Sequence, residues 1–307
     1  MNLIIYSIRL LFLLIPVLTF SQGEIAKGVI LDKVTNEPIP YVNISILDSQ
    51  IGTSSNEDGS YTLNVEEKHL NKSVKMSSLG YESSIIPVSV FLETQEVYLN
   101  SLVEKLDEVV ISKKFEEKTK VVNVINEEDL CQGYGSHAKN PWILALYFPF
   151  EETYETTDYL KSIRFHFGNF RNKKAKFRLR VFSIGKDSLP DKDLLKESVV
   201  VSLKKNQKTV DINISEYNVI FPREGFYVAF EWLYIAYNEE KVTYVGGPKN
   251  KNKRKGIKHA PTISGICADD GEFMLSIYNA GKWGFYAANK HKSDKKIIPA
   301  ISLTISN

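Results

Sequence analysis

Sulfur-containing residues are scarce in this chain, which has two cysteines and three methionines among its 307 residues. A fold held together by several disulfides is therefore excluded, and hydrophobic cores must supply most of the stability. Cys131 and Cys267 can form at most one disulfide. The other interpretation, two separate buried thiols, is favoured because the cysteines lie far apart in the sequence.

The chain also lacks a large excess of charge of either sign, since its formal net charge is +2 at pH 7. Near-neutrality argues against general nucleic-acid binding, which needs a basic surface. Beyond residue 21, no stretch approaches the roughly 20 apolar residues that a membrane-spanning helix requires. No transmembrane span is therefore expected once the N-terminal segment has been removed.

Motifs of catalysis are missing too. There is no Gly-x-Ser-x-Gly elbow, no Walker-type glycine loop and no calcium-binding loop of the EF-hand type. Asp129, Ser136 and His137 are close in sequence, but the members of a catalytic triad normally converge from distant segments. We predict no catalytic residue, no metal site and no cofactor, and do not expect an enzyme. A hydrolase with an unreadable site is the least favoured alternative.

The N-terminus has the pattern of a secretory signal. A single basic residue, Arg9, precedes the apolar run from Leu10 to Leu18, and small or polar residues follow at Thr19 and Ser21. This pattern predicts a signal peptide at residues 1–21, with cleavage after Ser21. The protein is therefore expected to be exported and to reside in the periplasm, at the outer membrane or on the cell surface.

Residues 22–101 alternate between apolar and polar side chains in short runs. The turn residues Thr35 to Pro38 and Asn56 to Gly59 separate these runs, and Gly80 marks a further reversal. At least six strands fit this spacing, including one at Val88 and Val90, so the pattern predicts an antiparallel β-sandwich.

A combination of turn and strand residues in this region resembles the carboxypeptidase-regulatory-like domain. The residues that carry the resemblance are Gly28, Asp32, Thr35, Pro38, Gly52, Thr53, Asp58, Gly59, Tyr61, Gly80 and Tyr81. The resemblance implies a transthyretin-like β-sandwich, which bacteria place at the front of many exported proteins, including TonB-dependent receptors. In metallocarboxypeptidases the related domain follows a zinc catalytic domain. No histidine of this chain begins a His-x-x-Glu motif, so carboxypeptidase activity is not expected.

Residues 102–120 are rich in charge and are predicted to form a linker. Leu106 to Val110 within it resembles the segment that follows this domain in TonB-dependent receptors. A complete receptor of that kind is much longer than this chain. The length therefore argues against a receptor. The resemblance leaves open an alternative function, an assembly module that docks onto a TonB-dependent outer-membrane system.

Strand-like alternation resumes in residues 121–307, where at least eight short runs predict a jelly-roll-like β-sandwich. This region loosely resembles jelly-roll accessory domains of exported bacterial proteins. The best helix candidate, Asn126 to Cys131, is short because Gly133 and Gly135 follow it. The predicted fold class is therefore all-β, with two sandwiches in series.

Two features of the second sandwich suggest ligand binding. Aromatic residues cluster there, and of these Trp232 is in register with core residues, whereas Trp283 and Tyr286 lie near a turn and are the candidates for stacking on a sugar. A basic run, Lys249 to Lys258, is predicted to be an exposed loop. Its anion-binding candidates are Lys251, Lys253, Arg254 and Lys255. The run also fits a merely solvated hairpin tip.

Together these features predict an exported, non-enzymatic cell-envelope protein whose C-terminal sandwich recognises a glycan or an envelope protein partner.

Overall fold

The structure is a computed structural model that describes residues 23–102, 118–136, 140–168, 174–245, 253–269, 273–287 and 295–307. Four sequence-based predictions fall wholly or partly outside these ranges. They are the signal peptide at 1–21, most of the linker at 102–120 with its TonB-receptor-like segment, His137, and residues 249–252 of the basic run, which include Lys251.

The N-terminal sandwich consists of seven strands in two sheets. The strands are β1 (Glu24–Asp32), β2 (Asn43–Ile46), β3 (Gly52–Ser54), β4 (Ser60–Val65), β5 (Ser73–Ser77), β6 (Ser84–Pro87) and β7 (Glu96–Leu99). One sheet has the order β4-β1-β7 and the other β3-β2-β5-β6. Alternate apolar residues of both sheets form one buried core, as the sequence predicts.

The strand predicted at Val88 and Val90 is wrong, because Val88–Glu93 is a short helix, α1. Val88 and Phe91 are buried and three residues apart, so they lie on one helical face. The Phe91 ring stacks on Tyr61 of β4, with 5.0 Å between ring centroids. The sequence contained two signals for a helix here. Pro87 directly precedes it, and the apolar residues are spaced by three positions rather than two.

The first described strand of the C-terminal sandwich begins at Thr119, inside the predicted linker. Its strands are β8 (Thr119–Val122), β9 (Leu130–Ser136), β10 (Ile143–Phe148), β11 (Tyr159–His166), β12 (Ala175–Ile184), β13 (Pro190–Asp193), β14 (Val199–Leu203), β15 (Thr209–Asn213), β16 (Phe226–Trp232), β17 (Glu239–Val245), β18 (Lys253–Ala268), β19 (Leu275–Asn279), β20 (Lys282–Phe285), β21 (Lys296–Pro299) and β22 (Ile301–Ser306). The all-β prediction is confirmed for the described residues.

These strands form one large sheet and two smaller ones. The large sheet has the order β13-β12-β16-β10-β19-β20, with β14 also paired to β12. The smaller sheets are β15-β11-β22-β8 and β17-β18-β21, and β9 pairs with β18. The main aromatic-rich core lies between the layers, and a smaller buried cluster that includes Phe182 and Tyr227 lies on the other face of the large sheet. Trp232 is fully buried in the main core and stacks on Trp142 with 4.3 Å between ring centroids, which confirms its predicted core position.

Helical structure is sparse among the described residues. Single 3-10 turns occur at Glu67–His69, Glu127–Asp129, Glu152–Tyr154, Ser215–Tyr217 and Ala236–Asn238. The predicted helix at Asn126 to Cys131 is therefore only one 3-10 turn, which Asn126 and Asp129 cap reciprocally. No helix in the described ranges has the length and apolar content needed to cross a membrane.

Cys131 and Cys267 form a disulfide, so the favoured prediction of two separate thiols is wrong. Their strands, β9 and β18, are antiparallel neighbours, and this pairing brings the two Cα atoms to 6.1 Å. The pairing joins segments distant in sequence and could not be read from local alternation. A disulfide is consistent with an extracytoplasmic protein.

Candidate functional site

The two sandwiches meet through hydrogen bonds between β3 and the main chain of Tyr234. The Ser54 amide of β3 donates to the Tyr234 carbonyl at 3.3 Å, and the Tyr234 amide donates to Ser54 Oγ at 3.0 Å. Thr53 Oγ1 donates to the same carbonyl. A Cβ atom at Gly52 would lie 2.8 Å from Pro141 Cδ, so only glycine permits this close approach of the backbones. The contact fixes β3 beside the end of β16.

A buried network of charged residues adds a second contact. Arg178 and Glu231 are each 1% exposed, and Arg178 Nη1 lies 3.3 Å from Glu231 Oε1. Arg178 Nη2 donates to the Tyr41 carbonyl of the N-terminal sandwich at 2.9 Å. Arg180 bonds to both Glu231 and Asp193. Burial lowers the pKa of Arg178, and the Glu231 carboxylate opposes this shift.

Beside these contacts, a cleft of about 1090 Å³ opens between the two sandwiches. One wall is the β17–β18 hairpin, mainly one of its faces, and the opposed pair Val242 and Gly256 also borders the cleft. In its register Glu239 lies opposite His259, Lys241 opposite Ile257 and Thr243 opposite Lys255, and all six residues line the cleft. Directly opposed residues of two strands share a face, so antiparallel pairing assembles this wall.

The other wall belongs to β3 and β4. Thr62 and Asn64 of β4 are exposed and line the cleft, while the alternating Tyr61, Leu63 and Val65 side chains face the core. The remaining lining residues of this wall are Ile51, Gly52, Thr53, Leu63 and Glu66. The ionic side chains of the two walls balance, with Glu66 and Glu239 against Lys241 and Lys255. The lining is therefore near neutral, and it exposes both polar and apolar surface.

Tyr234 and His259 form the inner end of the cleft. Their rings stack with 4.1 Å between centroids, and the Tyr234 hydroxyl pairs with Ser136 Oγ. His259 Nδ1 has no hydrogen-bond partner among the described residues. Burial lowers the pKa of His259 to about 4 and raises the pKa of Tyr234. Both side chains are therefore neutral at pH 7.

The pKa of His259 leads to a testable pH dependence of stability. An unfolded histidine has a pKa near 6.5, so between about pH 6.5 and 4 the unfolded state binds more protons than the folded state. We expect His259 to cost about 2 kcal/mol of unfolding free energy when the pH falls from 7.5 to 5. Urea unfolding at the two pH values measures this loss.

The control for this prediction is His259→Phe, which keeps a ring against Tyr234 but cannot be protonated. Burial also lowers the pKa values of His69 and His166, so part of the pH dependence should persist in the variant. An equal pH dependence in the variant and the wild type would show that His259 is not the group responsible.

The structure separates the ligand-binding residues predicted from sequence. Lys255 lines the cleft, whereas Trp283 and Tyr286 do not. Lys253 and Lys255 are exposed, but they and Arg254 lie in β18, so the predicted loop is wrong for residues 253–258. Lys258 in the same run is buried and lies 2.9 Å from Glu240. The charge pattern did not reveal that this run enters a strand.

Trp283 and Tyr286 are both half-buried. Trp283 contacts Phe182 and Tyr278 edge-on, with centroid distances of 5.2 and 5.4 Å. The Tyr286 ring meets Tyr134 at 6.2 Å. In the described residues, no group of three or more His, Cys, Asp or Glu side chains is placed to hold a metal ion.

The contacts of Trp283 predict a measurable loss of stability on substitution. We expect Trp283→Ala to lower the unfolding free energy by about 1–2 kcal/mol, roughly half the loss for a fully buried tryptophan. Denaturant unfolding would show the change, with Phe285→Ala, an exposed residue of the same strand, as the control. A Trp283→Ala protein as stable as the wild type would show that the ring does not support the fold.

Solved structures that resemble this chain include two of a clostridial protein. One is a clostridial cysteine protease, Cwp84, after propeptide cleavage, at 12% identity and a TM-score of 0.37, covering 87% of this chain and 65% of that one. The other comprises the cysteine protease and lectin-like domains of Cwp84, a surface layer associated protein of Clostridium difficile. It matches at 11% identity and a TM-score of 0.37, covering 94% of this chain and 59% of that one. This chain thus spans less than two thirds of each, and such TM-scores support no assignment.

A comparison with curated proteins gave no match. A family model does match the N-terminal sandwich, and it extends beyond the described strands into residues 103–111. The match agrees with the resemblance carried by the turn residues of this region. Residues 26–111 are a CarboxypepD_reg-like domain.

Proposed function

We propose that this protein is an exported, non-enzymatic binding protein that takes its ligand in the cleft between the two sandwiches. The observation that carries the proposal is the construction of the cleft. Its walls come from different sandwiches, and hydrogen bonds at Ser54 and the buried Arg178 hold these sandwiches together. A site built on rigid strands needs little ordering when a ligand binds.

The lining offers hydrogen-bonding groups to a ligand. Hydroxyl and amide groups of Thr53, Thr62, Asn64 and Thr243 border the cleft. These groups can exchange hydrogen bonds with the hydroxyl groups of a glycan or with the amides of a polypeptide. Tyr234 is only 5% exposed and His259 covers its ring, so stacking on a sugar face is not what this cleft offers.

The proposal is tested with a variant that fills the cleft. Thr62 is exposed on β4 and lines the cleft, so Thr62→Trp should obstruct it without disturbing the core. The purified protein is screened against an array of neutral and acidic glycans at two salt concentrations, and against a phage-displayed library of random dodecapeptides. We expect a binder whose affinity falls at least tenfold in Thr62→Trp.

The matched control is Thr209→Trp, which makes the same substitution on an exposed position of β15 outside the cleft lining. It should bind as the wild type does. A failure of both panels to yield a binder would overturn the proposal, as would binders that Thr62→Trp leaves unaffected.

A further inference from the structure

We infer that the cleft binds an extended polypeptide segment of a partner protein, which adds as a strand to the free edge of β17. This inference rests on the proposed function and names its ligand class.

The cleft is bordered by strands at the ends of their sheets. β17 pairs only with β18, and β4 pairs only with β1, in the part of the chain that the structure describes. Each strand therefore presents one edge of main-chain amides and carbonyls to which no described strand is bonded. Such an edge is a template for a further strand.

The lining indicates that main-chain atoms of these strands border the cleft. Side chains of a strand alternate between two faces, so a wall made of side chains alone would include every second residue. Three consecutive residues line the cleft in each of β17, β18 and β4, at 241–243, 255–257 and 62–64. Leu63 lies between Thr62 and Asn64, but its side chain is 3% exposed and packs in the N-terminal core. Its contribution to the lining must come from the main chain.

The sequence of β17 suits it to pairing. The strand contains no proline or glycine, and Val242 and Thr243 are β-branched. Its seven residues, Glu239–Val245, offer an edge of about 23 Å at roughly 3.3 Å per residue. An added segment of similar length would make main-chain bonds along this edge while its side chains met both walls.

The walls also set the side-chain preference of the occupant. Glu239, Lys241 and Lys255 line one wall, so charged side chains of both signs have partners there. Ile257 stands among them and is 48% exposed, which provides one apolar contact. A segment that alternates polar residues with one central apolar residue fits this wall best.

The experiment uses dodecapeptides selected on the purified protein, with the Thr62→Trp protein as counter-selection. A synthetic copy of the most enriched peptide is then methylated at one backbone nitrogen at a time, and each form is tested by calorimetry. Strand addition predicts that methylation at alternate positions weakens binding at least tenfold and that methylation between them has little effect. Amide hydrogen exchange should also slow in β17 when the peptide is bound.

The outcomes separate this inference from the proposed function. Binding that is lost in Thr62→Trp but shows no two-residue period on methylation would overturn strand addition and retain the cleft as the site. A glycan that binds in the cleft while no peptide is enriched would overturn the polypeptide ligand but support the proposed function.

Discussion

Replacing Glu231 with alanine is expected to lower the free energy of unfolding by about 3–5 kcal/mol, because it leaves the Arg178 guanidinium buried without its carboxylate. Both side chains are 1% exposed, so water cannot take the place of the lost partner. Arg178 Nε already lacks a hydrogen-bond partner among the described residues, which leaves little scope for rearrangement. Chemical denaturation followed by tryptophan fluorescence would measure the loss.

The same substitution should weaken the contact between the sandwiches. Arg178 holds the Tyr41 carbonyl, and Lys176 on the same strand bonds to the Tyr41 hydroxyl and to Glu57, both at 2.9 Å. A displaced Arg178 would disturb this contact, so proteolysis between the sandwiches should become faster in Glu231→Ala.

The control for Glu231→Ala removes both charges with side chains of similar volume, as in the double variant Arg178→Met with Glu231→Leu. Apolar replacements of a buried ion pair are often neutral or stabilising, so the double variant should recover much of the lost stability. Arg180 would then keep Asp193 as its partner. A double variant that is less stable than Glu231→Ala would contradict the explanation from buried charge.

The fold was largely predictable because its strands are amphipathic. In β4, for example, Tyr61, Leu63 and Val65 are buried and the residues between them are not, as alternation requires. The alternation of apolar and polar residues is lost where a strand is covered on both faces. All seven residues of β16 are buried, so Glu231 sits in an apolar-looking run and its partner Arg178 appears in the sequence as a wet-face residue.

The candidate site was mostly beyond prediction for a related reason. Its walls are assembled from β3, β4, β17 and β18, and no local pattern reveals that the edge of one sandwich faces a hairpin of the other. Of the residues chosen from sequence that the structure describes, only Lys255 lies in the lining. Its position near a turn made Trp283 a candidate surface aromatic, but the packing of Phe182 and Tyr278 against its ring depends on strand order, which alternation does not encode.

Removing the disulfide, by Cys131→Ala together with Cys267→Ala, is expected to lower the free energy of unfolding by about 2–5 kcal/mol. The cross-link joins residues 136 positions apart, so it restricts the unfolded chain over almost half the length of the protein. It also fastens the C-terminal end of β18 to β9, and the N-terminal part of the same strand carries Lys255 and His259 into the cleft. Thermal and denaturant unfolding would both register the change.

A reductant supplies the control for the disulfide prediction. Dithiothreitol should lower the melting temperature of the wild type towards that of the double variant and leave the double variant unchanged. Because β18 forms one wall of the cleft, the peptide or glycan selected on the wild type should also bind the double variant less tightly. Equal melting temperatures of the oxidised wild type and the double variant would mean that the cross-link adds nothing to a stability already secured by strand pairing.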